Sequence, residues 1–455
     1  MLDINRIREN PEKVKELLKR KLWDADFTEL LEWDKRKREL IQFVEGNKAE
    51  MNKLSASVPQ AKKNGEDVSK IFAKVKQIAE ENTESDKELK DIEEKIFNFL
   101  SELPNIPDED LLGGGKENNK PFKVFGKKPE FNFPMKDHME LATSLGLVDY
   151  DRGAKIAGRG AWVYTNLGAR LEWALLNYFI SEHLKDGYTF ILPPHLLNEQ
   201  SGFGAGQFPK FREDVFWLDG IEPKRFLLPT AETALVNLYR DEILKEEDLP
   251  KKFFAYTPCY RREAGSYRTE ERGMIRGYQF DKVEMVQYTK PEDSDAAFEE
   301  LVHKAESLVA GLGLHYQVSK LAAGDISHSM ARTYDIEVYL PSMGIYKEVS
   351  SASNARDYQA RRTMCRYRDN VTGKTRYVHT LNASGLATSR VFPAILEQFQ
   401  QEDFLTFEAA IRQQIPMILV SHNIVKCKDD KHPASLSKAW HDILRNELNF
   451  SGLIL

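Results

Sequence analysis

The longest regular pattern of apolar positions runs through residues 40–100. In a first arm the pattern positions are Leu40, Val44, Asn47, Met51 and Leu54. A second arm nearly continues the same rhythm at Ile71, Val75, Ile78, Asn82, Ser85, Leu89, Ile92, Ile96 and Leu100. Spacings of three and four place these side chains along one face of a helix, which predicts a coiled-coil seam with a few polar positions.

The segment SVPQAKKNGED (57–67) separates the two arms and contains Pro59 and Gly65, which favour a turn. The arms should therefore fold back on each other as an antiparallel helical hairpin, and arms of ~25–30 residues give a rod of roughly 40 Å. Lysines that could meet phosphates lie near the tip and along the helices: Lys53, Lys62, Lys63, Lys74 and Lys76. Charged faces are equally typical of a spacer or dimerisation coiled coil, so the pattern alone leaves both functions open.

Beyond the hairpin the pattern changes twice. Residues 105–135 are rich in proline and glycine and are interpreted as a linker. From residue 136 helical and strand-like patterns mix, which predicts an α+β domain with an antiparallel sheet flanked by helices. Helices are predicted at 137–145, 166–185, 230–245 and 291–311. Strands are predicted near 189–193, 225–229, 253–260, 277–288, 333–339 and 345–350.

Composition limits the function without identifying it. The chain has 455 residues, of which 41% are hydrophobic, so two or three domains with a large core are expected. A pI near 6.0 argues against a generally basic nucleic-acid binder, so any such contact must come from local patches. Cys259, Cys365 and Cys427 lie far apart, which fits a reducing cytoplasm. No apolar run approaches 18 residues and the N-terminus lacks an apolar signal segment, so a cytoplasmic protein without a membrane span is expected.

The most informative stretch is TPCYRREAGSYRTEERGMIRGYQFDKVEMV (257–286). A strand-like run ends in Arg261, Arg262 and Glu263, a charged loop follows, and a second strand-like run carries Phe280 and Glu284. Such a hairpin could hold a triphosphate with arginine, stack a base on phenylalanine and bind a cation or amine with glutamate. A solvated hairpin whose charges only protect a sheet edge is the alternative. A GxxxxGK[ST] loop and a dinucleotide-binding glycine motif are both absent, so ATP would require an arginine-rich antiparallel site.

This stretch closely resembles motif 2 of the class II aminoacyl-tRNA synthetases, in the form found in seryl-tRNA synthetases, and the resemblance extends to about Asp403. It implies that Arg261 bridges the serine carboxylate and the ATP α-phosphate, with Arg262 also at ATP. Glu263 is expected to bind the adenine amine and Phe280 to stack on adenine. Glu284 is expected to hold the serine hydroxyl or amine.

Three further segments match the same family in the same order. LPTAET (228–233) resembles the family's serine-binding triplet, with Thr230 and Glu232 facing the serine amine and hydroxyl; without the resemblance, a helix cap is the simpler interpretation. In KEVSSASN (347–354) the family's magnesium ligands correspond to Glu348 and Ser351, and Val349 and Ser350 lie between them in the ATP-binding stretch.

LNASGLATSR (381–390) resembles motif 3. Ser384 is expected to touch serine, and Arg390 to contact the ATP γ-phosphate and the free face of adenine. Thr388 and Ser389 depart from the usual Val-Gly, a small-for-small change that does not affect Arg390. Motif 1 is weaker; it comprises the helix at 166–185 and YTFILPPHLLNE (188–199), with Pro194 at a dimer interface by resemblance.

The resemblance implies a cytoplasmic homodimeric serine–tRNA ligase. Such an enzyme uses ATP and Mg²⁺ to form seryl-adenylate and charges tRNA(Ser), and by resemblance tRNA(Sec), which it binds through the N-terminal arm. The expected domains are 1–104 for the tRNA-binding arm domain, 105–135 for the linker and 136–403 for the catalytic domain. The alternatives are a ligase that charges a carrier protein, and an inactive synthetase-derived chimera with a coiled-coil arm. Serine-dependent ATP–pyrophosphate exchange and transfer to tRNA distinguish the three.

Residues 404–455 do not resemble the end of a synthetase. PMILVSH (416–422), HPASLS (432–437) and LRNELNFSGLIL (444–455) resemble an internal piece of a family 3 glycoside hydrolase of the β-N-acetylglucosaminidase type. The pattern predicts a helix, a buried strand, a second helix and the start of a second strand, a fragment of a (β/α) barrel. The family's Lys-His motif is missing and its catalytic Asp would follow the last residue, so no glycosidase activity is expected. The segment is expected to pack poorly or to lean on the synthetase body.

Overall fold

The computed structural model describes residues 1–65, 67–131, 133–263, 273–400, 417–418, 438–447 and 453–454. The α-helices are α1 (Ile4–Glu9), α2 (Pro11–Arg20), α3 (Thr28–Lys63), α4 (Ser69–Glu102), α5 (His138–Ser144), α6 (Tyr150–Ala157), α7 (Asn166–Lys185), α8 (Glu199–Gly204), α9 (Glu232–Leu235), α10 (Ser294–Gly311), α11 (Tyr358–Thr363), α12 (Thr388–Gln398) and α13 (Lys438–Asp442). Short 3-10 helices lie at Lys116–Asn118, Glu246–Asp248, Gly273–Ile275 and Pro291–Asp293, and a π-helical turn at Ile443–Glu447.

The strands are β1 (Lys120–Phe125), β2 (Val148–Asp149), β3 (Val163–Tyr164), β4 (Thr189–Phe190), β5 (Leu196–Asn198), β6 (Arg225–Leu227), β7 (Ile243–Lys245), β8 (Lys251–Tyr260), β9 (Gln279–Thr289), β10 (Tyr316–Lys320), β11 (Arg332–Leu340), β12 (Ile345–Arg356), β13 (Arg366–Arg368), β14 (Thr375–Tyr377), β15 (His379–Ala387), β16 (Met417–Ile418) and β17 (Leu453–Ile454).

The predicted coiled-coil hairpin is confirmed by α3 and α4, which pack against each other along their length. Apolar seam residues such as Leu40, Val44, Ile78 and Ile92 are buried, as the periodicity predicts. The polar seam positions face each other, because Asn47 Nδ2 donates a 2.9 Å hydrogen bond to Asn82 Oδ1. The asparagines thus satisfy each other inside the seam, as buried polar groups in folded proteins generally do.

The turn at the tip is shorter than predicted. Instead of ending before Pro59, α3 continues through it to Lys63, and α4 begins at Ser69. A proline inside a helix removes one backbone hydrogen bond and crowds the carbonyl four residues earlier, at a cost of about 3 kcal/mol that the rest of the helix must offset. Ser57 Oγ donates to the Leu54 carbonyl 2.7 Å away in the turn just before the proline.

A mainly antiparallel sheet forms the centre of the second domain and has eight strands among the described residues, in the order β1-β10-β11-β12-β15-β9-β8-β4. Helices α7, α10 and α12 contribute fully buried side chains to one continuous core with this sheet, including Phe179, Phe298 and Phe392. Every described pairing in the sheet is antiparallel except β4 with β8. The α+β prediction is confirmed.

Two predictions about element extent need correction. Part of the predicted linker, Lys120–Phe125, is the edge strand β1 and pairs with β10. The predicted helix at 230–245 reduces to α9, after which Asn237 and Arg240 close tight turns onto carbonyls three residues earlier. The segment then enters β7, which pairs in parallel with β13. Tertiary pairing has overridden the local helical preference there.

A buried lysine joins the N-terminal helices to the second domain. Lys21 Nζ donates to the carbonyls of Ser327 and Met330, both at 2.7 Å, of His328 at 3.1 Å and of Asn105 at 3.3 Å. Burial, with the charge of Lys210, lowers the pKa of Lys21 well below its ordinary value. The carbonyl oxygens supply the polar contacts that a buried ammonium needs. The helical domain is therefore tied to the loop at 327–330.

The last turn of α12 is held by its own side chains. Glu397 accepts hydrogen bonds from the backbone and ring of His138 and from Ser342. Gln398 Nε2 donates to the carbonyls of His315 and Tyr339, at 3.1 and 2.8 Å. Gln400 Oε1 accepts from the amide nitrogen of Lys136 at 3.0 Å. These contacts fix the end of α12 against the rest of the second domain.

In the C-terminal segment, β16 and β17 pair in parallel and α13 lies between them in sequence. This strand–helix–strand order agrees with the predicted second helix and flanking strands, since parallel neighbours require a crossover connection. The predicted first helix of the segment, and Cys427, fall outside the described residues. Cys259 and Cys365 are buried and free. Within the described residues no helix has the length and hydropathy to cross a membrane.

Candidate active site

The motif 2 stretch forms the predicted antiparallel hairpin. Strands β8 and β9 pair in register from Lys251 opposite Tyr288 to Tyr260 opposite Gln279. The connecting loop residues 264–272 lie outside the described part of the chain. Because alternate residues of a strand share a face, Lys282 and Glu284 point the same way. Both line a cleft of about 550 Å³, together with Thr230, Glu232, Arg261, Glu263, Arg276, Glu348, Ser351, Asn382, Ser384 and Arg390.

Glu284 is the centre of the buried end of this cleft, with only 1% of its surface exposed. Its Oε1 accepts a 3.1 Å hydrogen bond from Asn382 Nδ2. Its Oε2 accepts longer ones from Thr230 Oγ1 at 3.4 Å and Ser384 Oγ at 3.5 Å. Lys282 forms an ion pair with the same oxygen. The predicted residues Thr230, Glu284 and Ser384 therefore meet around one carboxylate.

Thr230 does not cap a helix. The residue preceding α9 is Ala231, and no side chain caps that helix. The Thr230 hydroxyl instead accepts from Lys282 Nζ at 2.7 Å and donates to Glu284. The helix-cap interpretation is therefore wrong, and the hydroxyl belongs to the cleft.

Glu232 lies beside this cluster and is held by an oriented amide. Gln359 Nε2 donates a 2.7 Å hydrogen bond to Glu232 Oε1, and Thr380 Oγ1 donates to Gln359 Oε1 at 2.6 Å, which fixes the amide. Burial, reinforced by the negative charge of Glu284, raises the pKa of Glu232 to about 7. The group therefore changes charge near neutral pH.

The first arginine of motif 2 lines the cleft, and the second does not. Arg261 Nε donates to the Pro229 carbonyl at 3.1 Å, and its guanidinium carbon lies 5.2 Å from the centre of the Phe280 ring. Arg262 Nη1 instead donates to the Glu213 carbonyl at 3.1 Å, and its side chain borders a neighbouring cavity of about 690 Å³. Phe280 also borders that cavity, so Phe280 and Arg390 lie on different cavities.

Glu263 lines the cleft and is engaged by an arginine that the sequence analysis missed. Arg276 contacts Glu263 Oε2 through Nε at 2.7 Å and through Nη2 at 2.6 Å. Both nitrogens contact the same carboxylate oxygen, which makes this a charge-assisted contact. An adenine amine would therefore share Glu263 with Arg276.

Glu348 and Ser351 both face the cleft because strand β12 carries a bulge. Residues three apart on a regular strand point to opposite faces. In the pairing of β12 with β11, Ser350 faces Ile336 and Glu348 faces Glu337, so Val349 is the extra residue. A bulge resets the alternation, and it brings Glu348 and Ser351 to one side.

The bulge also determines what the intervening residues do. Val349 is buried in the main core, and Ser350 Oγ donates to the Ser384 carbonyl at 2.6 Å. Neither side chain lines the cleft, so their predicted contact with ATP is not made by side chains in this geometry.

Arg390 and Glu348 form the open end of the cleft. Arg390 Nη1 donates to the Glu348 carbonyl at 2.9 Å and lies 3.4 Å from its Oε2. Burial acts to raise the pKa of Glu348, but Arg390 and Arg261 outweigh it, and the pKa is lowered. The side chain remains 41% exposed. Glu348 is therefore an accessible carboxylate beside cleft-facing Ser351, an oxygen donor set that suits Mg²⁺.

Asp335 is a further acidic group that the sequence did not reveal. It lies opposite Ser351 on β11 and is buried. Burial, followed by the charge of Glu348, raises its pKa well above the ordinary value. In the described part of the chain no three histidine, cysteine or acidic side chains cluster as a metal site. A cation here would rely on few protein ligands, as Mg²⁺ bound to nucleotide phosphates commonly does.

An antiparallel sheet with arginines and carboxylates converging on one cleft is the architecture of a class II aminoacyl-tRNA synthetase. Residues 216–399 match the model of the tRNA synthetase class II core domain (G, H, P, S and T). Residues 1–107 match the seryl-tRNA synthetase N-terminal domain, which indicates the seryl-tRNA synthetases among the members of this class.

Known relatives agree over most of the chain. Serine–tRNA ligase 2 of Clostridium acetobutylicum is 61% identical over 407 residues, which are 89% of this chain and 96% of that protein. Serine–tRNA ligase of Thermodesulfovibrio yellowstonii is 42% identical, with 89% of this chain and 96% of that protein covered. The chain therefore belongs to the seryl-tRNA synthetase family, the serine–tRNA ligases.

Solved structures give the same result. Seryl-tRNA synthetase of Pyrococcus horikoshii, solved with ATP, has a TM-score of 0.82 and 33% identity, and covers 88% of this chain and 94% of that one. The cytoplasmic serine–tRNA ligase of Naegleria fowleri, solved with AMP, has a TM-score of 0.77 and 26% identity, with the same shares covered.

The C-terminal segment matches a different family. Residues 377–455 match the glycosyl hydrolase family 3 N terminal domain, a range that overlaps the synthetase core. Within that overlap, β15 lies between β12 and β9 in the large sheet, and α12 packs in its core. Residues up to 400 therefore belong physically to the synthetase fold.

Proposed function

We propose that this chain activates L-serine with ATP to form seryl-adenylate, and then transfers the seryl group to the 3′ end of tRNA(Ser), and of tRNA(Sec) where it is present. The observation that carries the proposal is the meeting of Arg261, Glu284 and Arg390 in one cleft. A serine oxygen must be brought in line with the α-phosphorus, and the charge of the phosphates must be neutralised. Positioning and preorganised charge supply most of such catalysis.

In the first step a serine carboxylate oxygen attacks the α-phosphorus, and the bond to the β-phosphate oxygen breaks, so pyrophosphate leaves with the electron pair. Arg261 is proposed to span the carboxylate and the α-phosphate, since a guanidinium can contact two anions at once. Arg390 holds the γ-phosphate. Glu348 and Ser351 would hold Mg²⁺, which neutralises phosphate charge when it is bound.

Serine selection is assigned to the side chains around the buried Glu284 carboxylate. Glu284 and Ser384 bind the hydroxyl or amine, with Thr230 and Glu232 completing the amine contacts. A ligand without the hydroxyl would leave the buried Glu284 carboxylate with one fewer donor, and such loss discriminates strongly. Phe280 and Glu263 are proposed to bind adenine, which requires Arg276 to share or release Glu263.

In the second step the terminal hydroxyl oxygen of tRNA attacks the seryl carbonyl carbon, and AMP leaves. The exposed tip lysines Lys53, Lys62 and Lys63 are proposed to meet tRNA phosphates. Lys74 lies lower on the arm and is paired with Glu50 at 2.5 Å, so it is less suited to this role.

A homodimer is proposed on the exposed apolar surface near motif 1. Trp173 on α7 is 54% exposed and Leu192 is 73% exposed, and Leu167, Leu184 and Leu196 are also exposed. Several large apolar side chains exposed along one segment of the chain are typical of an interface, and a second copy of the chain is the proposed occupant. Cytoplasmic location is part of the same proposal.

Serine-dependent ATP–pyrophosphate exchange on the full-length chain tests the activation step. Arg261→Lys should lower the exchange rate by about a hundredfold, because an ammonium cannot reproduce the two-anion contact. Arg262→Lys is the matched control, since its guanidinium lies outside the cleft. A folded wild-type chain without exchange would contradict the proposal. Transfer of serine to tRNA(Ser), compared with a carrier protein, then identifies the acceptor.

A further inference from the structure

Lys282 occupies the amine position of the cleft. The residue is 6% exposed, its Nζ donates a 2.7 Å hydrogen bond to Thr230 Oγ1, and it forms an ion pair with Glu284 Oε2. These oxygens are the ones assigned above to the amine and hydroxyl of serine. An ammonium group on a substrate would therefore compete with the lysine ammonium for the same partners.

A buried ammonium that loses its carboxylate needs another anion nearby, because an unpaired buried charge is very costly. Of the other carboxylates in the cleft, Glu232 already accepts from Gln359 at 2.7 Å and Glu348 lies 3.4 Å from Arg390, so neither is a ready replacement for Glu284. Serine supplies one, since each molecule that delivers an ammonium to Glu284 also delivers a carboxylate. Lysine has a flexible four-carbon stem that allows its ammonium to change partners without moving the strand.

We propose that Lys282 is a specificity-determining residue that exchanges partners when serine binds. The serine ammonium replaces Lys282 Nζ on Thr230 and Glu284, and Nζ turns to the serine carboxylate. This inference rests on the proposed function, because it requires serine to bind at the Glu284 cluster. It adds a second cation, besides Arg261, at the substrate carboxylate.

The exchange gives the cleft a means of selecting α-amino acids over simple amino alcohols. An amino alcohol can displace Lys282 from Glu284 but brings no carboxylate to receive it. The lysine then loses its direct carboxylate partner while Glu232 and Glu348 stay engaged by Gln359 and Arg390, so the bound state is disfavoured. Lys282 thus makes the affinity for the ammonium depend on the presence of the carboxylate.

The test compares L-serine with serinol, which has the ammonium and hydroxyl but no carboxylate. In Lys282→Gln the KM for serine in pyrophosphate exchange should rise roughly ten- to a hundredfold, since a charge-assisted contact is lost. The inhibition constant of serinol should fall about tenfold, because a neutral amide competes poorly for Glu284. Opposite effects on the two ligands are not expected from a purely structural role, which would weaken both.

Lys252→Gln is the matched control. Lys252 lies on the neighbouring strand β8 and pairs with Glu300 at 2.7 Å, away from the cleft. It should leave both constants unchanged. Lys282→Arg keeps the positive charge and should keep the wild-type preference for serine over serinol. Thermal melting shows whether the glutamine variant folds, and if it does not, the arginine variant still tests the inference.

Parallel weakening of both ligands in Lys282→Gln, or no change in either, would overturn the inference. So would a Lys282→Arg variant that loses the preference for serine over serinol. A wild-type chain without serine-dependent exchange would instead overturn the proposed function itself, so the two failures are distinguishable.

Discussion

Replacing Lys21 with methionine should loosen the joint between the N-terminal helices and the catalytic domain. The methionine fills similar space but cannot donate to the carbonyls that surround Lys21 Nζ. Two of those carbonyls keep another donor: Ser327 O accepts from the Met330 amide at 3.0 Å, and His328 O from the Asn105 amide at 2.8 Å. In the described residues, the Asn105 and Met330 carbonyls accept from Lys21 alone.

The magnitude follows from those two orphaned acceptors. A buried carbonyl without a partner costs about 1–3 kcal/mol, so the two together cost about 2–6 kcal/mol. Removing the buried ammonium relieves part of its own desolvation, so we expect a net loss of about 2–4 kcal/mol in the free energy of unfolding. The loss should concentrate at the contact between the two domains.

The effect should also reach the active site, because Ser327, Ser329 and Met330 line the cleft. Denaturant unfolding followed by circular dichroism measures the stability, and serine-dependent pyrophosphate exchange measures the KM for serine and ATP. We expect a lower unfolding midpoint together with a raised KM.

Lys19→Met is the matched control, since Lys19 is exposed and only 4.0 Å from Asp24 in a weak surface pair. It should change stability by less than about 0.5 kcal/mol. The reasoning is refuted if Lys21→Met unfolds at the wild-type denaturant concentration and retains wild-type KM values, because the buried carbonyls would then have found other partners at no cost.

Three further outcomes are expected. The kcat/KM for serine should rise as pH increases through about 7, because only the ionised Glu232 attracts the substrate ammonium. In pyrophosphate exchange, Glu232→Gln should lack this rise. Identical pH profiles of the wild type and the variant would exclude Glu232 as the group that titrates. Burial lowers the pKa of His183 to about 4, so its contribution to stability is complete above pH 6.5 and is lost as pH falls toward 4. That loss is about 3 kcal/mol. The free energy of unfolding of His183→Gln should depend less on pH than that of the wild type. An equal pH dependence in the two proteins would contradict the prediction. A chain ending at Gln400 should keep its melting temperature and serine-dependent exchange, and loss of either would show that the C-terminal segment is needed.

Patterns with a regular period predicted the fold well. The seam from Leu40 to Leu100 needs only helical spacing, and the β8–β9 hairpin needs only two strand-like runs around a polar loop. The predicted lengths of helices and strands were wrong where contact with a residue distant in sequence determines the conformation. Asp241 donates its amide to the Thr363 carbonyl at 2.8 Å, and no local signal around 230–245 indicates that contact.

Sequence motifs predicted most of the residues of the cleft, and the structure added the residues that the motifs did not single out. Thr230, Glu284 and Ser384 come from three separate segments, and resemblance alone linked them before the structure did. Asn382 and Lys282 lie within the recognised motifs, and the alternation along β9 could have identified Lys282, because it shares a face with Glu284. Arg276 also lies in the motif 2 stretch, but it precedes β9, so strand alternation does not identify its contact with Glu263. Asp335 gave no comparable signal, since its position depends on the pairing of β11 with β12.

The bulge at Val349 divides β12 into two parts whose side chains alternate between the faces of the sheet in different frames. Residues before it alternate in one frame and residues 350–354 in the other, and the cleft uses Glu348 from the first frame and Ser351 and Ser353 from the second. Deleting Val349 would remove the bulge but leave Glu348 and Ser351 two residues apart on a regular strand, and therefore still on one face of the sheet. If all the residues were kept and the bulge were lost, one end of β12 would slip by one position against β11, and Glu348 and Ser351 would turn to opposite faces. The frame in which β12 pairs with β11, which neither side chain encodes, is therefore what keeps these two groups together.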